Sequence, residues 1–190
     1  MKRCSWVNLK NDLYVYYHDH EWGIPHYNDE YMFEFLVLET FQAGLSWECI
    51  LNKREAFRKA FDNFDYLKIA LYDEEKIQKL LDNKDIVRNR LKIRAQINNA
   101  QVFIKIQEEF NSFSNYIWSF TNNKVIVNND DCFKTTSELS DAISKDLQTK
   151  GMKFVGSVII YSYLQAIYPS QYSTCPSYSQ SHSQGYTYVQ

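Results

Sequence analysis

The chain has few residues that interrupt helices, with only 5 glycines and 3 prolines among 190 residues. Glycine and proline are the strongest helix breakers, so their scarcity leaves long stretches free to form helices. A chain of this length is expected to form one domain with a buried core. Composition and helical periodicity together predict an all-α protein.

Long apolar runs are also missing. No run approaches the ~20 residues that span a bilayer, and the N-terminal segment has no apolar signal core. The cysteines show no C-x-x-C spacing; they are Cys4, Cys49, Cys132 and Cys175. We therefore expect a soluble, cytoplasmic protein whose cysteines are thiols or metal ligands and not a disulfide framework.

An excess of positive charge is absent as well, since the formal net charge is -2. A nucleic-acid-binding domain is recognised more easily from a basic composition. Two local basic clusters exist: Lys53, Arg54, Arg58 and Lys59 in one segment, and Lys84, Arg88, Arg90, Lys92 and Arg94 in another. Taken alone, both clusters predict solvent-exposed helix faces.

The stretch from Phe35 to Trp47 is apolar and aromatic, and it contains a single charge, Glu39. Its pattern predicts a helix from Asn28, which can cap it, to Gly44. Apolar residues cover more than one face, so little of this helix can contact water. A buried carboxylate is costly unless it is neutralised or hydrogen-bonded. Glu39 is therefore either a functional-site residue or a core carboxylate bound to an amide or an arginine.

The rest of the chain predicts further helices. They cover residues 46–61, 65–71, 73–81 and 86–109, a short piece from Ser114 and a helix from Ser137 or Ser140 to about Lys150. We expect residues 1–27 to be irregular and residues 121–135 to form a loop.

A glycine-bounded turn, G-M-K-F-V-G from Gly151 to Gly156, joins the helix ending near Lys150 to an apolar helix. Gly151 can adopt a positive φ after the first helix. Gly156 leaves the first amides of the second helix open, and such amides suit a phosphate. The pattern predicts either a helix–hairpin–helix phosphate site or an ordinary pair of packed helices.

The composition changes at Tyr168, after which the chain is rich in Ser, Tyr and Gln and nearly uncharged. We therefore expect a helical domain over residues 1–167 and a disordered, low-complexity tail over residues 168–190.

Three motifs go beyond a generic helical domain: K-R-C-S-W at 2–6, Y-Y-H-D-H-E-W-G-I-P at 16–25 and L-E-T-F-Q-A-G-L-S-W at 38–47. With them the chain resembles the bacterial 3-methyladenine DNA glycosylase I family over residues 1–167. The resemblance implies a monomeric helix–hairpin–helix enzyme of base-excision repair that acts at the bacterial nucleoid. It would flip an alkylated adenine out of duplex DNA and hydrolyse the N-glycosidic bond, releasing 3-methyladenine.

The family's base pocket maps onto Glu39, Tyr17, Trp47 and Trp6. Without the resemblance, the three aromatic residues would each be interpreted as core. N3-methylated adenine is cationic and already a good leaving group, so the pocket must select this base and need not protonate it. Trp47 can stack on the cation, Glu39 can accept from the exocyclic amine, and the Tyr17 hydroxyl can add a hydrogen bond. Stacking contributes ~1–3 kcal/mol per base, while flipping costs only a few kcal/mol.

The resemblance also implies DNA contacts. Gln42, Gly44 and Leu45 lie in the loop that should face the DNA gap and wedge into the stack. The turn from Gly151 to Gly156, with Lys153, would hold phosphate without reading sequence. A local positive field would then be enough for a chain of negative net charge.

A structural zinc is implied by the family, with Cys4, His18 and a C-terminal His-x-x-x-Cys pair as ligands. Here the tail offers only Cys175 and His182, in reversed order and seven residues apart. A zinc site of this type needs four ligands, so we expect less than one tightly bound zinc per chain. No organic cofactor is implied.

Three functional hypotheses remain at this point. The first is an enzyme without a covalent intermediate, since no lysine lies in the matched pocket motifs. The second is a weak or inactive module that binds damaged DNA or purines because the second metal pair is lost. The third is an unstable variant with neither activity, since the change at Tyr168 suggests a frameshifted or alternative C-terminus.

Overall fold

The computed structural model describes residues 3–124 and 134–167, and all regular structure in these two ranges is helical. The prediction of an all-α protein is confirmed. The helices are α1 Asp12–His20, α2 Asp29–Gln42, α3 Trp47–Ala60, α4 Tyr66–Ile69, α5 Glu74–Asp82, α6 Arg90–Phe110, α7 Phe113–Ser119, α8 Glu138–Thr149 and α9 Ser157–Ile167. A 3-10 turn, Asp62–Phe64, follows α3. Most of the predicted loop and the whole predicted tail lie outside the described residues.

Local capping side chains fix the helix starts, as the sequence indicated. Asn28 accepts from the amide of Tyr31 at the start of α2, and Ser46 accepts from the amide of Cys49 at the start of α3. Ser137 and Ser140 form a reciprocal capping box that opens α8. Each cap satisfies amides that have no partner inside the helix.

The helix α1 contradicts the prediction that residues 1–27 are irregular. Its cap is Asn11, whose side chain accepts from the amides of Leu13 and Tyr14. Its buried residues are Tyr14, Tyr17 and His18, which share one face at i, i+3 and i+4. Aromatic and β-branched residues are weak helix formers, so the local sequence does not predict this helix. Packing of its buried face against the core stabilises it.

The central element is α2, in which every residue from Met32 to Phe41 is buried. It packs against α3, α6, α7 and α9. Phenylalanines fill the spaces between these helices, with ring centroids 4.7 Å apart for Phe41 and Phe57 and 5.0 Å apart for Phe33 and Phe103. The expectation that little of this helix contacts water is confirmed. None of the described helices is both long enough and apolar enough to cross a membrane.

Polar contacts attach the N-terminal segment to the helices. Gly23 and His26 donate their backbone amides to the carbonyls of Gln165 and Ile167 at 3.1 and 2.9 Å. Arg54 of α3 forms ion pairs with Glu21 and Glu34, both at 2.6 Å. The prediction of a solvent-exposed basic face is therefore wrong for Arg54, whose guanidinium is mostly buried between two carboxylates.

Candidate functional site

Glu39 lies in the buried part of α2 with only 3% of its surface exposed. Its Oε2 is buried and has no hydrogen-bond partner in the structure. Burial raises the pKa of this carboxyl to about 8, because desolvation disfavours the charged form. A core carboxylate fully satisfied by an amide or an arginine would not leave Oε2 unpaired, so the site retains an acceptor that a ligand can use.

Aromatic rings surround this part of the molecule. The ring centroids of Tyr17 and Trp47 are 5.2 Å apart, and Phe35 lies 6.1 Å from each of them. Burial, followed by the charge of Glu39, raises the pKa of Tyr17 well above its usual value. The Tyr17 hydroxyl therefore remains a donor, and the buried Nε1 of Trp47 is a second donor without a partner.

The structure thus brings Glu39, Tyr17 and Trp47 together from three different helices. Phe35 completes the group and was not among the predicted pocket residues. A usable signal existed, because Phe35 precedes Glu39 by four residues and so lies one helical turn away on the same face.

Two polar networks fix these helices relative to one another. The side-chain amides of Asn8 and Asn11 both donate to Glu48 Oε1 at 2.8 Å, which ties the N-terminal segment to the start of α3. The guanidinium of Arg54 lies 5.0 Å from the centroid of Phe35. The ion pair of Arg54 with Glu21, just beyond α1, therefore links α3 to the end of α1 beside the Phe35 ring.

Trp6 belongs to a neighbouring aromatic cluster. Its ring lies 5.4 Å from Tyr14, 5.2 Å from His18 and 5.1 Å from Trp22, and 39% of its surface is exposed. Burial raises the pKa of Tyr14 to about 12, with further contributions from Glu48 and Glu39. Tyr14 therefore links this cluster electrostatically to Glu39. It was missed because α1 itself was not recognised.

The residues predicted to face the DNA gap lie at the last residue of α2 and in the turn to α3, which we together call the gap loop (residues 42–46). Gly44 has a φ of +81°, and the amide of Leu45 donates to the carbonyl of Gln42 at 2.6 Å. Gly44 and Leu45 are exposed. Gln42, Gly44 and Leu45 are thus presented together at the surface next to the helix that carries Glu39.

Lys92 reaches the gap loop from α6. Its Nζ donates to the carbonyls of Phe41 at 2.9 Å and Ala43 at 2.7 Å. The side chain is buried, and burial lowers the pKa of the ammonium. The prediction of a solvent-exposed basic face is therefore wrong for Lys92 as well, because its partners are 49 and 51 residues away in the sequence.

The turn between α8 and α9, which we call the hairpin turn (residues 150–156), contains the predicted phosphate residues. Gly151 has a φ of +102°, so glycine is required there. Gly156 has no such φ, and a Cβ added to it would meet no atom within 4 Å. Lys153 is exposed, while its backbone amide and carbonyl both bond to the side chain of Asn99, at 2.8 and 2.9 Å.

The predicted metal residues do not form a zinc site in the described part of the chain. His18 Nδ1 contacts Asp19 at 2.8 Å, and His18 Nε2 accepts from the Cys4 amide at 3.4 Å. The role of Cys4 as a thiol or a thiolate ligand stays a prediction. In the described ranges no group of three or more His, Cys, Asp or Glu side chains could hold a metal. The two weak candidates, Cys175 and His182, lie outside those ranges.

Comparison of the all-helical fold with solved structures shows a protein of the helical DNA glycosylase class. A solved structure of 3-methyladenine DNA glycosylase I from Staphylococcus aureus, described as the structural basis of 3-methyladenine recognition, matches with a TM-score of 0.83 and 37% identity. The match covers 88% of this chain and 92% of that chain.

Sequence comparison defines the family. The methyladenine glycosylase family model matches residues 6–176, and the chain belongs to this family. It is 41% identical to DNA-3-methyladenine glycosylase 1 of Escherichia coli (strain K12) over 169 residues, which are 87% of this chain and 90% of that protein. It is 39% identical to DNA-3-methyladenine glycosylase of Haemophilus influenzae over 168 residues, with 87% and 90% covered. The resemblance predicted from the three motifs is confirmed.

Proposed function

We propose that the chain excises 3-methyladenine from alkylated duplex DNA by base flipping, without a covalent intermediate. The observation that carries this proposal is the buried Glu39 carboxyl with an unpaired oxygen among the rings of Tyr17, Phe35 and Trp47. The names of the relatives point to the same reaction. The substrate is then double-stranded DNA, the product is the free base, and the chain acts as a monomer.

Electrostatics explain how such a pocket selects the alkylated base. Alkylation at N3 gives the base a positive charge that normal adenine lacks. With a pKa of about 8, Glu39 is mostly protonated in the empty pocket at neutral pH. A cationic base favours the ionised carboxylate, and their attraction is strong in a desolvated site. Neutral adenine has no positive charge to attract the ionised carboxylate, so the pocket favours the damaged base.

The bond-breaking step then needs little help from an acid. The oxygen of a water molecule bonds to C1′ of the sugar, the C1′–N9 bond breaks, and its electron pair passes to the base. The base leaves as neutral 3-methyladenine, and one proton of the water is released. Glu39 and Tyr17 hold the base by hydrogen bonds, and Trp47 stacks on it.

The contacts of Lys92 support hydrolysis by water. A Schiff-base mechanism needs a free amine, whereas the Lys92 ammonium donates to two backbone carbonyls of α2 and the gap loop. This arrangement favours a monofunctional enzyme.

DNA binding is assigned to the hairpin turn and the gap loop. Gly156 has no unusual φ, and no protein atom lies within 4 Å of a Cβ added there. The space beside Gly156 is therefore open to a group from outside the protein. The first amides of α9 lie beside this opening, and such amides bind phosphate. Exposed Leu45 and its neighbour Gln42 are the residues that would fill the space left by the flipped base.

The test is release of free 3-methyladenine from methylated duplex DNA by the full chain, measured by chromatography. Glu39→Gln should slow release at least tenfold. Glu30→Gln is the matched control, because it makes the same substitution at an exposed position on the same helix, and it should match the parent. A folded parent chain that binds methylated DNA without releasing the base would contradict the proposal.

A further inference from the structure

Helix α6 carries a stripe of buried polar side chains. Lys92, Gln96 and Asn99 lie at i, i+4 and i+7, with only 6%, 0% and 0% of their surfaces exposed, and so share one face of the helix. Buried polar groups are costly unless they find partners. Here most of the hydrogen-bond partners lie at the end of α2, in the gap loop and in the hairpin turn.

The N-terminal end of this stripe holds the end of α2. The last carbonyls of a helix have no partner inside it, and α2 has no basic residue in its own last turn. Lys92 supplies the missing donor by bonding to the carbonyls of Phe41 and Ala43. One turn further along α6, Gln96 Nε2 donates to Thr40 Oγ1 at 2.7 Å.

The C-terminal end of the stripe holds the hairpin turn. The Asn99 side chain bonds to both backbone groups of Lys153, at 2.8 and 2.9 Å. Its neighbour Asn98 donates to the carbonyl of Gly151 at 2.8 Å. The backbone of the hairpin turn is therefore fixed by α6 through side chains that bond directly to it.

We propose that α6 acts as a spacer between the gap loop and the hairpin turn, and that Lys92 is a positioning residue for base excision. The seven residues from Lys92 to Asn99 correspond to about 10 Å along a helix. The inference rests on the proposed function, in which the hairpin turn holds phosphate while the gap loop and Trp47 receive the flipped nucleotide. The hairpin turn and the gap loop contact the same DNA molecule. The distance between these two loops must therefore match the distance between the bound phosphate and the flipped nucleotide. Displacements of about 1 Å can reduce rates about 10²-fold.

The test is Lys92→Met, which keeps a side chain of similar length and removes the ammonium. The single-turnover excision rate should fall at least tenfold at a temperature well below the unfolding midpoint. Affinity for undamaged duplex DNA should change less than threefold, because the hairpin turn keeps its contacts with Asn99. Hydrogen exchange should quicken at residues 43–47 and stay unchanged at residues 151–156, a local pattern that general destabilisation would not produce.

Two further variants separate positioning from stability. Gln101→Leu removes another bond from α6 to a backbone carbonyl, that of Ala70 at 2.9 Å, away from both loops. It should leave the excision rate unchanged whatever it does to the unfolding midpoint. Lys92→Arg keeps donors and charge and should recover most of the rate lost in Lys92→Met.

The outcomes are distinguishable. If the parent releases no base, the proposed function fails and the spacer role fails with it. If the parent is active and folded Lys92→Met matches it, only the spacer role is overturned. Should Lys92→Met not fold, Lys92→Gln replaces it, and failure of both to fold would show that Lys92 supports the whole core and does not position the gap loop.

Discussion

At the residue scale, two buried carboxylates of α2 differ in their surroundings. Glu34 Oε1 forms ion pairs with Arg54 and Arg58, both at 2.6 Å. Glu39 is more buried, and its Oε2 has no partner. A carboxylate that serves only the fold is expected to resemble Glu34, because an unpaired buried acceptor lowers stability. The structure therefore favours a ligand-binding role for Glu39.

Glu39→Gln should change the pH dependence of stability. The folded-state pKa of about 8 lies above the ordinary value of 4.5, so the folded parent binds more protons than the unfolded chain between these values. The parent therefore loses stability as pH rises through this window, and the variant does not. Between pH 5.5 and pH 7.5, the free energy of unfolding of the variant should rise relative to that of the parent by as much as about 2–3 kcal/mol. Urea unfolding at both pH values measures this difference. A constant difference would mean that Glu39 is already ionised at pH 5.5.

Trp47→Ala should weaken binding of free 3-methyladenine by about tenfold or more, because stacking is worth ~1–3 kcal/mol per base. Affinity for undamaged duplex DNA should remain within twofold, since the hairpin turn holds the backbone. Trp47→Phe serves as the control that keeps an aromatic face and loses Nε1. Equal losses for base and DNA in Trp47→Ala would show that Trp47 supports the whole fold.

At the element scale, the two glycines of the hairpin turn have different roles, one in the fold and one in DNA binding. Gly151 must be glycine because of its φ and not for lack of space, since an added Cβ would meet Val102 at an ordinary contact distance of 3.8 Å. Gly156 faces open space and has no unusual φ. The first glycine therefore serves the turn itself, whereas the second leaves room for something outside the protein.

Gly156→Ala should leave the unfolding midpoint nearly unchanged and weaken DNA binding several-fold, because the new methyl group obstructs a phosphate at the start of α9. Lys153→Ala should weaken DNA binding as well and reduce its salt dependence, since one phosphate contact is lost. Neither variant should alter free-base binding. A loss of base binding in either one would contradict the division between hairpin turn and pocket.

The part of the fold that was predictable from sequence is the part set by local chemistry. Asn28, Ser46 and Ser137 mark helix starts because their side chains bond to amides three residues away. Gly44 and Gly151 mark helix ends because they adopt a positive φ. Such signals require no knowledge of the tertiary structure.

The unpredicted part depends on distant partners. Lys92 and Arg54 looked like members of solvated basic clusters, yet each is buried by groups 20 to 51 residues away. The helix α1 was missed because its aromatic residues favour a helix only once they pack on the core. The pocket roles of Glu39, Tyr17 and Trp47 came from family resemblance, since each could have been a core residue.

At the scale of the whole molecule, hydrogen bonds and an ion pair among the described residues attach the N-terminal segment to the helices. Asn8 and Asn11 bond to Glu48, Arg54 pairs with Glu21, and Gly23 and His26 bond to the end of α9. These contacts hold α1, and with it Tyr17, against the rest of the fold.

We therefore predict less than one tightly bound zinc per chain and a shift of no more than a few degrees in melting temperature on chelation. Elemental analysis of the purified protein and thermal unfolding with and without EDTA provide the measurement. Because metal affinity adds to folding free energy, stoichiometric zinc with a large shift would contradict the prediction. Cys175, His182 or another imidazole such as His20 would then complete a site.

The central claim is that Glu39 belongs to a base pocket, and free-base binding tests it most directly. Titration of parent and Glu39→Gln with 3-methyladenine, followed by tryptophan fluorescence, reports on Trp47 as well. We predict that the variant binds several-fold more weakly, since a hydrogen bond between neutral groups is worth about 0.5–1.5 kcal/mol. Equal affinity in a variant that folds as well as the parent would show that Glu39 is a core residue and that the pocket is wrongly placed.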